Sequence, residues 1–152
     1  MAPLRLVPVN EENKRIALAL HVAPGQEHMV ESVEECCEEA DRIALWRPVM
    51  IYDDQTPVGF AMYGFWPREG EHGRLWLDRF FIDGRYQHRG YATRALTVIL
   101  PYITAEYGCK EVYLSVYEDN RIAIDLYKKF GFSFNGELDR NGERVMVAVF
   151  PA

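Results

Sequence analysis

No stretch of this chain stays apolar for the roughly 20 residues that a membrane-spanning helix needs. The opening Met1-Ala2-Pro3-Leu4-Arg5 also lacks the basic start and apolar run of a secretory signal. The expectation is a cytoplasmic protein with no membrane partner. Cysteine is scarce. Cys36 and Cys37 are adjacent and Cys109 stands alone, which excludes a disulfide framework and matches neither zinc nor CxxC spacing. Buried free thiols in a reduced compartment are expected rather than a cysteine nucleophile. Basic residues are outnumbered, 17 against 23 acids, for a net charge of −6. Phosphate binding needs a basic face, so no nucleic-acid partner is expected. The acidic field suits a polycationic substrate and equally suits plain solubility. His21, His28, His72 and His88 do not cluster in sequence, so no metal is expected. Repeats, low-complexity segments and flexible linkers are absent. Residues 1–152 therefore read as a single domain, large enough to bury its own core.

What is present is a mixture of periodicities. Alternation predicts a strand over 4–9. Asn10 is placed to cap a helix running to about Leu20, with Glu11 and Glu12 in its first turn. A second helix is predicted over 27–41, with Met29, Val33, Cys36 and Ala40 on one stripe. Glu31, Glu34, Glu35, Glu38 and Glu39 fill much of its remaining surface. That face is either a solvated surface or a wall that attracts a polyamine. Residues 46–52 and 57–65 read as a hairpin across Asp53–Thr56. Residues 75–82 form an apolar, aromatic strand with Asp78 and Arg79 inside it, and those charges need partners or a function.

A helix is predicted over 90–107, with a kink or early end at Pro101. A strand follows over 111–117. Asp119 or Asn120 then opens a helix to Phe130, with Gly131 suited to its C′ position. Residues 132–139 and 143–150 pair across Asn141-Gly142. Helices between late strands imply parallel crossovers, and the two hairpins imply antiparallel pairs. The fold class is α/β, a twisted mixed sheet flanked by helices.

The informative run is Asp83-Gly84-Arg85-Tyr86-Gln87-His88-Arg89-Gly90-Tyr91-Ala92, which follows a strand and opens a helix. Unpaired amides and the helix dipole make such a turn an anion site suited to a pyrophosphate. Gly90 and Ala92 leave room for phosphates to approach, and Arg85 and Arg89 add positive charge. The run is not a Walker loop, since no Gly-Lys-Ser/Thr follows, and it lacks the three spaced glycines of a dinucleotide fingerprint. Taken alone it is equally an ordinary strand–helix turn.

Gln87-x-x-Gly90-x-Ala92 resembles the Q/R-x-x-G-x-G/A signature of the GNAT superfamily of N-acetyltransferases. Asn120-x-x-Ala123-x-x-Leu126-Tyr127-x-x-Phe130-Gly131-Phe132 resembles that superfamily's second marker, in its order and spacing. Residues 59–64, 76–82 and 135–139 are similar to bacterial spermine/spermidine acetyltransferases. His88 departs from the pattern where glycine is frequent, and Ala92 replaces its last glycine. The resemblance implies a GNAT fold of about six to seven strands and four helices. It implies acetyl-CoA as co-substrate, a small cationic amine as acceptor, and direct transfer in a ternary complex. Homodimers are common in the superfamily, though no residue here marks an interface.

The same resemblance implies roles. Strands 75–82 and 111–117 would splay to admit the pantetheine arm, with Phe80, Phe81 and Ile82 lining the gap. Gln87, His88, Arg89, Gly90, Tyr91, Ala92 and Thr93 would surround the diphosphate. Asn120 and Ala123 would meet the arm, Asn120 doubling as a helix cap. Tyr127 would be the general acid for the departing thiolate, or a helix Tyr packed on Phe132. Asp78 is either the base that takes the amine's proton or half of a structural ion pair with Arg79 or Arg74. Glu27, Glu31 and Glu35, with Asp78, would hold the remaining ammonium groups. Three readings stay open: a polyamine acetyltransferase, a GNAT enzyme acting on a peptide, lysine, aminoglycoside or small amine, and a non-catalytic acetyl-CoA-binding module.

Overall fold

A computed structural model describes residues 2–150; Met1 and positions 151–152, which the single-domain reading takes in, lie outside the described residues. The described strands are β1 (Arg5–Pro8), β2 (Arg47–Asp53), β3 (Thr56–Trp66), β4 (Arg74–Ile82), β5 (Glu111–Val116), β6 (Ser133–Leu138) and β7 (Arg144–Val149). The helices are α1 (Lys14–Leu18), α2 (Val33–Arg42), α3 (Tyr91–Tyr107) and α4 (Arg121–Lys129). All seven of these strands join one sheet in the order β1-β2-β3-β4-β5-β7-β6. Among them only the β4–β5 pair is parallel. The crossover between those strands is α3, as a parallel connection requires.

The sheet separates two apolar cores. One holds Ala95, Leu96, Ile99 and Ile103 of α3 and Ile124 and Tyr127 of α4, against Val49, Ala61, Leu114 and Met146. The other holds Ala17, Val33, Cys36 and Cys37 from the α1–α2 side, against Met50, Phe60 and Met62. Strand β3 is buried on both faces through its middle, which explains its near-continuous apolar run.

Three sequence expectations shift. The first helix begins at Lys14, because Asn10 caps an earlier turn: its Oδ1 accepts from the backbone N–H groups of Glu12 and Asn13. The second begins at Val33 rather than near Glu27. Ser32 starts it with a capping box, its hydroxyl accepting from Glu35 N while the Glu35 carboxylate accepts from Ser32 N. Met29 and Glu31 therefore precede the helix and share no stripe with it. Pro101 does not end α3, which runs to Tyr107 and is capped by Gly108 at φ 64°. Pro101 and Thr97 lie on the exposed face, where the bond lost at the Thr97 carbonyl is least costly, while the buried face holds the helix together. The β6–β7 hairpin forms, but Asp139 closes it. Its carboxylate accepts from the N–H groups of Asn141 and Glu143, and Gly142 supplies the positive φ.

Strand β4 contains the feature that shapes the cleft. Met62 pairs with Arg79 and Tyr63 with Leu77, so Asp78 is an extra residue in a β-bulge. Leu75 and Leu77 enter the α3-side core, and beyond the bulge Phe80 and Ile82 enter that same core. Strict alternation would have sent Phe80 and Ile82 to the opposite face; the inserted residue resets the phase. Parallel pairing with β5 is confined to Leu75–Val112 and Trp76–Tyr113. Past those pairs the strands part, as the resemblance implied.

Gly59 keeps β3 and β4 in register, since a Cβ there would lie 2.7 Å from the Phe81 carbonyl oxygen and 3.0 Å from Ile82 Cδ1. Gly59→Ala is expected to cost about 1–3 kcal/mol, read as a lower urea midpoint with an unchanged slope.

Candidate active site

The turn after β4 is held from beneath. Asp83 is wholly buried. Its carboxylate accepts from His21 N, Arg85 N and Arg85 Nε at 2.9–3.1 Å. Burial alone would raise its pKa, yet the bonds from Arg85 and His21 hold it below the ordinary value. Arg85 is thus turned back toward Asp83. Gln87 Nε2 donates to the Ile82 carbonyl at 3.0 Å and to Gln26 Oε1 at 2.9 Å, tying the turn to the strand end. His88 has φ 65° and Gly90, the α3 N-cap, has φ 81°. Among the described residues, the backbone N–H groups from Gln87 to Thr93 donate to no protein acceptor. A Cβ at Gly90 would meet nothing within 4 Å, so the amides face open space. This is the geometry of an anion-binding nest. The positive φ at His88 also explains why glycine is frequent there. The Tyr91 hydroxyl donates to Asp53 at 2.6 Å, and Arg89 lies over the Tyr86 ring.

From this turn the gap between β4 and β5 leads to Tyr127. Leu77, Phe80, Leu114, Val116, Asn120 and Ala123 line it. Phe81 and Ile82 do not present their side chains there. Phe81 packs on Phe60 at 5.8 Å, and Ile82 enters the α3-side core. Only their backbone borders the gap. Asn120 caps α4, its Oδ1 accepting from Ala123 N at 3.3 Å. The end of α4 fixes Tyr127. Phe132 N donates to the Tyr127 carbonyl and Gly131 N to that of Lys128, with Gly131 at φ 94°. These bonds form a Schellman motif, and the Tyr127 and Phe132 rings meet edge to face at 5.7 Å. Tyr127 is 8% exposed, its side chain lines the cleft, and burial raises the phenol's pKa. Among the described residues, no protein group hydrogen-bonds its hydroxyl.

Carboxylates gather on the far side of the same cleft. Arg79 binds Asp78, Glu31 (2.6 Å) and Glu39 (3.1 Å). Burial, reinforced by Glu39, Glu31 and Glu143, pushes the Asp78 carboxyl up to about 7 against the pull of Arg79. Asp78 therefore combines both features weighed from sequence: it is paired with Arg79, and it is a cleft carboxyl able to titrate near neutrality. Glu31 reaches the cleft from the loop before α2. Glu27 and Glu35 are engaged elsewhere. The Glu27 carboxylate accepts from Gly25 N, and Glu35, its pKa lowered by the Ser32 bonds, completes the capping box.

Sequence reasoning placed Glu39 on an acidic helix face without its pairing to Arg79, and passed over Glu143 and Ser115 as lining residues. A lone acid beside an Asn-Gly turn carries no local signal of burial. Burial pushes the Cys36 thiol up to about 12, which leaves it inert at neutral pH. A larger hollow of about 480 Å³ lies beside α4 and the β6–β7 hairpin. Its charges include the Arg144–Glu118 pair, and none of its side chains is a buried group without a partner. Among the described residues, no group of three or more His, Cys, Asp or Glu is arranged to hold a metal, and no helix is long and apolar enough to cross a membrane.

The fold is shared with known acetyltransferases. An acetyltransferase of Thermus thermophilus superposes with TM-score 0.75 at 20% identity, covering 98% of each chain. A spermidine N-acetyltransferase of Vibrio cholerae, solved with CoA and spermine, superposes at 0.73 with 19% identity, covering 97% of this chain and 95% of that one. These likenesses define the fold class. At the level of sequence, the acetyltransferase (GNAT) family profile matches residues 10–132. A spermine/spermidine N(1)-acetyltransferase of Bacillus subtilis strain 168 is 44% identical over 147 residues, covering 95% of this chain and 97% of the relative. The chain belongs to the GNAT acetyltransferase family.

The family fixes acetyl-CoA as the co-substrate, and the open, amide-lined turn fits an anionic diphosphate. At His88 a side chain is held in left-handed backbone at a cost of about 1–3 kcal/mol. His88→Gly is expected to leave stability equal or slightly higher, whereas His88→Val is expected to lose about 1–3 kcal/mol. Thermal unfolding with and without CoA measures both.

Proposed function

We propose that this chain transfers the acetyl group of acetyl-CoA to a primary amine of a polyamine such as spermidine or spermine. One observation carries the reading: a buried tyrosine hydroxyl without a partner and a set of carboxyls face each other across one cleft. The 44% identical relative named for spermine and spermidine supports it, as does the net charge of −6. The single sheet, taking strands from Arg5 to Val149, supports reading residues 1–152 as one N-acetyltransferase domain.

Acetyl-CoA supplies an activated acyl carbon and a thiol leaving group. The amides of Gln87–Thr93 hold its diphosphate, with the Asn120 side chain placed to meet the arm. The unpaired edges of β4 and β5 bind an extended arm by backbone hydrogen bonds. Asp78 accepts the proton of the acceptor ammonium, directly or through water, because only the neutral amine attacks. An alkyl ammonium with pKa near 10 is about one part in a thousand neutral at pH 7. The N–C bond forms, the C–S bond breaks, and Tyr127 donates to the departing thiolate. Burial keeps the Tyr127 phenol protonated, so it is a donor throughout the working pH range. Asp78 and Glu31 hold the amine's positive charge in the cleft.

Tyr127→Phe is expected to lower kcat by about 100-fold while leaving the KM for acetyl-CoA nearly unchanged; thiol release with both substrates saturating measures it. An unchanged kcat removes Tyr127 from the reaction. In the unaltered protein, activity is expected to fall as pH drops through about 7, where Asp78 takes up a proton. Asp78→Asn is expected to abolish that limb and move the remaining activity to higher pH, where the amine itself is neutral. A pH–rate profile that keeps its shape assigns Asp78 to the ion pair alone. The polyamine reading is tested by thiol release across spermine, spermidine, diamines, lysine peptides, aminoglycosides and monoamines. Polyamines are expected to lead the panel and to weaken with added salt; equal turnover of mono- and polyamines overturns the assignment.

A further inference from the structure

Glu143 stands immediately before β7 and lines the same cleft as Asp78 and Tyr127. It belongs to the opposite wall. There β7 pairs with β5, Ser115 opposite Val145 and Val116 opposite Arg144, while Asp78 rides the bulge of β4. Because β4 and β5 part beyond Trp76 and Tyr113, the two carboxyls face each other across open space.

Their surroundings differ. Asp78, Glu31 and Glu39 share the Arg79 guanidinium. Among the described residues, no Lys, Arg or His forms an ion pair with Glu143. Its neighbours include the Ser115 and Tyr117 hydroxyls; Asp139 and Glu31 repel its charge, and Arg79 attracts it from the other wall without pairing with it. Burial comes first among the causes that raise its pKa. A carboxylate drawn partly out of water without a cation paired to it is costly. A second observation marks the same space as a ligand site: the Tyr127 hydroxyl opens into it without a partner, on a side chain more than nine-tenths buried.

Resting on the polyamine reading, we propose that Glu143 receives the second ammonium of the acceptor, across the cleft from Asp78. Arg79 already occupies the carboxylates of the first wall, so a second substrate cation finds its free partner on the other. Glu143 thereby selects acceptors carrying two or more charges over monoamines that present the same reacting head. It is a specificity residue and takes no part in proton transfer.

The experiment compares spermidine with propylamine, in the intact protein and in Glu143→Gln, by thiol release with acetyl-CoA saturating. The KM for spermidine is expected to rise roughly fivefold, the equivalent of losing one partly screened ion pair. Its kcat, the KM for acetyl-CoA and the kcat/KM for propylamine are expected to stay within about twofold. Glu143→Asp keeps the charge and is expected to recover part of the loss. If Glu143→Gln does not fold, Glu143→Asp carries the test alone, with the KM for spermidine raised and propylamine unaffected. Normal turnover of spermidine by the intact protein with no change in the variant overturns the role of Glu143 and leaves the polyamine reading standing. Equal losses on both amines also overturn it. An intact protein that turns over other amines but not spermidine overturns the polyamine reading, and this assignment with it.

Discussion

The parting of β4 from β5 is the constraint on which the site depends. Two residue pairs hold the strands together at one end. Beyond them each strand leaves one edge of its backbone unpaired. In most sheets an unpaired internal edge would be a defect, because buried amides and carbonyls need partners. Here the open edges suit an extended ligand, and the cost of leaving them unpaired is what makes the site receptive. The bulge at Asp78 is the local device that permits it. One extra residue bends the strand, resets which side chains enter which core, and turns a carboxyl into the opening.

Around that opening the two substrates meet different kinds of protein. On the proposed reading, the coenzyme side is built almost wholly from backbone: free amides at the α3 start, strand edges, and glycine or left-handed residues that keep space clear. The proposed acceptor side is built from charged side chains on separate elements. Asp78 comes from β4, Glu31 from the loop before α2, and Glu143 from the β6–β7 hairpin. Arg79 prevents the first of these walls from collapsing under its own repulsion by binding three carboxylates at once.

Tyr127 illustrates how local chain signals place a functional group. Gly131, readable as a C′ residue, allows the Schellman closure that sets the last turn of α4. That closure brings Phe132 onto the Tyr127 ring. Other local signals misled. The run of glutamates from Glu27 to Glu39 suggested one continuous helical face, yet Ser32 and Glu35 cap one another and divide it. The helix starts where its first amides find an acceptor, and apolar periodicity carries no information about that. Pro101 reads as a breaker, and packing on the far side of α3 overrules it.

The order of elements, the amide-lined turn before α3, the Asn120–Tyr127 helix and the family were legible in the chain alone, because each is written in short-range patterns of glycine, caps and periodic apolar residues. It also marked Asp78 and Arg79 as out of place in an apolar strand. Tertiary structure alone decided that Arg79 gathers Asp78, Glu31 and Glu39, that Phe81 turns away from the cleft, and that Glu143 enters it. Those outcomes depend on the strand phase after a bulge and on the burial of charges far apart in the chain, and burial is a property of the space between elements that no single segment encodes.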